Sequence, residues 1–96
     1  MSSDHRDAAQ QHIQTLISLV SDQLGGEARE KLVAECEALA VAIRAFHMEG
    51  IRFRMFNVDR ILSKTDVSPE VRAAFADARR ELEAAGFHTR SHPVNP

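Results

Sequence analysis

The sequence predicts an all-α protein: a small three-helix unit, extendable to four, built on a long central helix and completed as a bundle by homodimerisation. Three observations lead there. Apolar residues recur at three- and four-residue steps along most of the chain, and no stretch sustains the period-two alternation of a strand. Up to residue 87 the helix breakers are confined to Gly25-Gly26, Gly50, Ser68-Pro69 and Gly86. At 96 residues the chain holds one domain, expected over residues 1–87, with residues 88–96 as a mobile C-terminal tail.

The first helix is expected over residues 4–24. Ser3 is its N-cap, and Asp4 and Asp7 suit the positive end of its dipole. Ala9, Ile13, Leu16, Ile17, Val20 and Leu24 make one apolar stripe, and Gly25-Gly26 ends the helix.

The second helix starts near Glu27. Leu32, Cys36, Leu39, Ile43, Phe46 and Phe53 form a coiled-coil-like seam, with Gly50 filling one slot. Because the seam keeps register through Gly50, the expectation is one continuous helix reaching Leu62. A glycine inside it costs about 1 kcal/mol, which packing can offset. The alternative is a tight turn at Glu49-Gly50. A second stripe, Met48, Ile51, Met55, Val58, Ile61 and Leu62, lies on the roughly opposite side. A helix apolar on two faces must be covered on both. Fourteen of the 42 apolar residues are alanine, so one chain supplies few large covering side chains. A second copy is the simplest cover, with Leu39, Ile43, Phe46, Phe53 and Phe56 as candidate interface residues; a monomeric three-helix bundle is the alternative.

The third helix has the plainest signals. Ser68 caps it, Pro69 takes its first position and Glu70 follows. Val71, Ala74, Phe75, Ala78, Leu82 and Ala85 form its stripe. Gly86 ends it, and Phe87 falls where a Schellman motif returns an apolar contact to Leu82.

Charge and chemistry narrow the function. The net charge of −2 excludes a uniformly basic nucleic-acid-coating protein. No apolar run approaches membrane-spanning length, no signal peptide is expected, and the single cysteine, Cys36, has no internal partner, so the expected location is the cytoplasm, with no membrane partner. Five histidines (His5, His12, His47, His88 and His92) have no zinc-site spacing, and no nucleotide-binding or nucleophile motif is present. The expectation is therefore no cofactor, no metal, no catalytic residues and no enzymatic activity.

Residues 44–64 are locally basic. Arg44, Arg52, Arg54, Arg60 and Lys64 are interleaved with Phe46, Phe53 and Phe56, which makes those five basic residues the candidates for binding an anionic ligand or nucleic acid. Residues 58–87 also have the outline of a helix-turn-helix, and the run from Arg79 to Phe87 resembles the end of a recognition helix in winged-helix regulators. Two departures count against it: the helix carries more acids than arginines, and the sequence ends before a wing. The leading expectation is a non-enzymatic helical protein-protein interaction or regulatory module acting as a homodimer. The alternatives are a nucleic-acid-binding regulator and a small dimeric enzyme or sensor with an arginine-lined anion site.

Overall fold

The computed structural model describes residues 2–87, with side chains from His5 onward. The tail expected at 88–96 lies outside the described residues. Four helices make up the regular structure: α1 (Ser2–Gln23), α2 (Gly26–Arg44), α3 (Met48–Ser63) and α4 (Pro69–Ala84). Among the described residues there is no strand.

α1 begins earlier than expected, so residue 3 lies inside the helix rather than capping it. The Leu24 amide closes the last turn on the Val20 carbonyl at 3.0 Å. Gly25 in extended backbone and Gly26 at φ 63° then redirect the chain into α2. The left-handed value at Gly26 is one that glycine adopts without steric penalty.

The long central helix is not formed. Chain reversal occurs at Ala45, Phe46 and His47, three residues upstream of the only glycine in the region. α2 ends in a Schellman motif. The Phe46 amide donates to the Ile43 carbonyl (3.2 Å), and the His47 amide donates to the Ala42 carbonyl (3.0 Å). Phe46 holds the left-handed position at φ 57° that usually belongs to glycine.

His47 then caps α3. Its Nδ1 accepts from the Gly50 amide at 2.8 Å, so the neutral ring carries its proton on Nε2. Gly50 is thus the third residue of a new helix, not a turn residue. A Cβ at position 50 would lie 2.8 Å from the capping Nδ1 and 3.3 Å from the Ala42 Cβ. The glycine is explained by this close approach.

α4 follows its sequence signals. Ser68 Oγ accepts from the Val71 amide at 3.3 Å, and Pro69 opens the helix. Gly86 sits at φ 97°, the Phe87 amide donates to the Leu82 carbonyl at 2.9 Å, and Phe87 is buried.

α1 packs on both α4 and α2, and α2 packs on α3, while Arg72 and Arg79 of α4 reach Leu62 and Asp59 of α3. The core draws on every helix: Ile13, Leu16 and Val20; Leu32, Cys36, Leu39 and Ile43; Ile51, Met55, Val58 and Leu62; Val71, Phe75 and Leu82. The reversal at 45–47 folds both halves of the expected central helix onto this one core. Leu39 and Ile43, expected at a dimer interface, are fully buried within the chain.

The His47 cap gives Gly50 a testable sign. His47→Ala is expected to lower stability by about 1 kcal/mol, or roughly 4–8 °C in Tm. In an unobstructed helix Gly50→Ala would stabilise by about 1 kcal/mol. Here Gly50→Ala is expected to be less unfavourable in the His47→Ala background, where no imidazole is displaced and only the Ala42 Cβ at 3.3 Å remains. Thermal unfolding of the four variants by circular dichroism measures the coupling. A full gain from Gly50→Ala alone would show that the His47 cap does not constrain position 50.

Candidate functional site

α2 and α3 form an antiparallel hairpin whose register is set by two contacts. Position 50 lies against Ala42, and Glu35 receives hydrogen bonds from Arg54 (3.1 and 3.3 Å) and from Asn57 Nδ2 (3.3 Å). Asn57 is the one buried polar residue among the described residues, and its side-chain amide donates to Glu35 there.

The hairpin separates the basic candidates. Arg52 pairs with Glu49 at 3.1 Å, and Arg54 with Glu35 at 3.1 Å. Arg44 is exposed in the last turn of α2, where a cation suits the helix dipole. Arg60 and Lys64 make no ion pair among the described residues; the Arg60 guanidinium stands 5.8 Å from the Phe56 ring centre. Arg60 and Lys64 are one turn apart and share a groove of about 620 Å³ with Glu27, Lys31, Glu35 and Asn57, in which Lys31 pairs with Glu27 at 3.7 Å. Lys31 was not among the sequence candidates. It is found only through the α2–α3 register, which places it across from α3's last turns.

The arginines of α4 are engaged within the chain. Arg72 donates to the Leu62 and Thr65 carbonyls at 3.3 and 3.4 Å. Arg79 reaches Asp59 at 3.6 Å and stands 4.9 Å from the Phe75 ring centre, and Arg80 pairs with Asp77. α4 packs chiefly on α1, so residues 58–87 do not form the closely packed helix pair of a helix-turn-helix unit.

The aromatic residues divide in two. Phe46, though 60% exposed, is engaged: the Arg6 guanidinium lies 3.6 Å above its ring, and Phe87 is 6.2 Å away. Phe53 (55% exposed) and Phe56 (44%) project from α3 on the side opposite Ile51, Met55, Val58 and Leu62. Glu49 and Arg60 extend that outer stripe, giving Glu49, Phe53, Phe56 and Arg60 at steps of four, three and four, all exposed. The pattern was present in the sequence, but a continuous helix placed Phe53 in a seam with Leu39 and Ile43 and concealed it.

Cys36, His5 and His47 have structural settings. Burial pushes the Cys36 thiol from its ordinary value of 9.0 up to about 12, and the neighbouring charges of Glu35 and Glu37 add to the effect. His5 Nδ1 is 2.7 Å from Glu81 Oε1, bridging α1 and α4. His88 and His92 lie outside the described residues. Among the described residues no three His, Cys, Asp or Glu side chains are grouped to hold a metal ion, and no helix is long and apolar enough to cross a membrane.

No protein-family model, no curated protein and no solved structure matches this chain significantly.

The buried thiol yields two measurable outcomes. At pH 8 Cys36 is expected to resist alkylation in the native protein and to react only on unfolding. Between pH 9 and 12 the unfolded chain releases a proton that the folded chain retains. The folded state then binds more protons, so stability falls as pH rises, by up to about 1.4 kcal/mol per pH unit. Urea unfolding at pH 8, 9 and 10 checks this, and Cys36→Ala removes the thiol's share of the slope.

Proposed function

We propose that this protein is a non-enzymatic helical interaction module that acts as a homodimer, with the outer face of α3 as its contact surface. One observation carries the reading: Phe53 and Phe56 stand exposed on the side of α3 opposite the core. α2 is the principal neighbour of α3, and α4 reaches it through Arg72 and Arg79. Exposed aromatics flanked by charged residues are the composition of a contact surface, in which a buried apolar centre is ringed by polar groups. Of the five interface candidates, Phe53 and Phe56 carry the proposal; Leu39 and Ile43 belong to the core, and Phe46 is occupied by Arg6 and Phe87.

The α2–α3 groove supports a second reading, the binding of a small phosphorylated ligand by Lys31 and Lys64 beside Arg60. Inorganic pyrophosphate should then raise the Tm of the wild-type chain but not that of Lys31→Gln/Lys64→Gln.

Light scattering on a size-exclusion column tests the homodimer. Concentration is read by refractive index because the chain has neither Trp nor Tyr. A dimer mass is expected for the wild type at high loading, and a monomer mass with preserved helicity for Phe53→Asp. A wild-type chain that stays monomeric up to about 1 mM, the limit of useful affinity, would end the proposal.

A further inference from the structure

Resting on the homodimer reading, we infer that α3 pairs with α3 of a second copy in antiparallel orientation, across a twofold axis passing between residues 54 and 55. Phe53 then lies against the partner's Phe56, and Glu49 against the partner's Arg60.

The outer stripe of α3 dictates this arrangement. Its spacing of four, three and four reads the same in both directions, and it is the a/d spacing by which helices interlock. Reversing the helix maps the stripe onto itself, so one surface can meet its own copy, as a twofold interface requires. The two aromatic positions come to the centre. The two ends carry opposite charges, Glu49 in the first turn of α3 and Arg60 in the last.

Parallel pairing would set Glu49 against the partner's Glu49 and Arg60 against the partner's Arg60. Antiparallel pairing sets each against its opposite, which selects the orientation. It also opposes the two helix dipoles.

Both charges are available. Arg60 has no ion pair among the described residues and is carried beside the Phe56 ring at 5.8 Å. Glu49 is held only by Arg52, its neighbour on the same helix, with the carboxylate side chain 77% exposed. From Glu49 to Arg60 the stripe runs about 16 Å at roughly 1.5 Å per residue. A pair of helices crossing at about 20° stays in contact over that length.

Charge reversal in the full chain tests the pairing, with dimer dissociation constants taken from sedimentation equilibrium. Glu49→Arg and Arg60→Glu each place like charges at both ends of the interface, and each is expected to weaken the dimer about tenfold or more. Glu49→Arg/Arg60→Glu exchanges the charges and is expected to return the constant to within about threefold of wild type. An equimolar mixture of the two single variants is expected to form a heterodimer, because one copy then carries two arginines and the other two glutamates at the contacting positions. The mixture also shows that both single variants are folded. If the wild type dimerises but the single variants match it, the antiparallel register is overturned while the homodimer stands. Weakened single variants that neither the double variant nor the mixture rescues overturn it as well. A wild-type chain that is monomeric throughout overturns the homodimer reading itself.

Discussion

Phe46 takes the backbone through a left-handed conformation, and the placement of all four helices depends on the reversal made there. For a bulky residue this conformation costs on the order of 1–3 kcal/mol. The surroundings hold it in place. Two hydrogen bonds from the Phe46 and His47 amides close the end of α2, and Arg6 from α1 covers the ring, with Phe87 beside it. His47 opens α3 immediately afterwards. Were α2 to continue straight, Ile51, Met55, Val58 and Leu62 would travel away from Leu39 and Ile43 instead of facing them. The turn is what lets a chain rich in alanine enclose a core unaided.

Enclosing the core by folding the hairpin back has a consequence for α3. One stripe of the helix is spent inward, on the aliphatic residues and Met55. The second stripe, with two phenylalanines, is left outside on a helix whose principal neighbour is α2. The hairpin's own polar contacts, Arg54 and Asn57 to Glu35, lie to the side of that stripe and tie α3 to α2 without covering it. The interior pattern and the exterior pattern therefore do separate work. The first sets the tertiary fold, and the second is the surface on which the proposed dimer rests.

The ends of the helices show how much could be read beforehand. α4 was legible in full because each local signal agreed: Ser68 caps, Pro69 starts, Gly86 turns left-handed and Phe87 folds back onto Leu82. The α2–α3 boundary was not, because its residues exchange the usual roles. A phenylalanine occupies the left-handed position and the nearby glycine sits inside a helix, so rules that seek glycine at a helix end point four residues too far along. The stabilisation that pays for this comes from Arg6 and Phe87, which lie far off in the sequence. The candidate site was legible in part. The basic residues and exposed aromatics could be named, but which of them are neutralised depends on the register of α2 against α3. Phe53 and Phe56 could be separated from the core only once the break at 45–47 was known.

Phe46 touches Arg6 near the start of the described chain and Phe87 at its end. The two ends of the described chain therefore meet at one corner, beside a single aromatic ring. A fold joined up in this way is close to a closed loop. Its order of connection can be rearranged: a short linker between the two ends, with new termini cut at Gly25-Gly26, would produce a circular permutant containing the same four helices. The architecture belongs to the packing of the helices around that corner, and where the chain is cut is secondary to it.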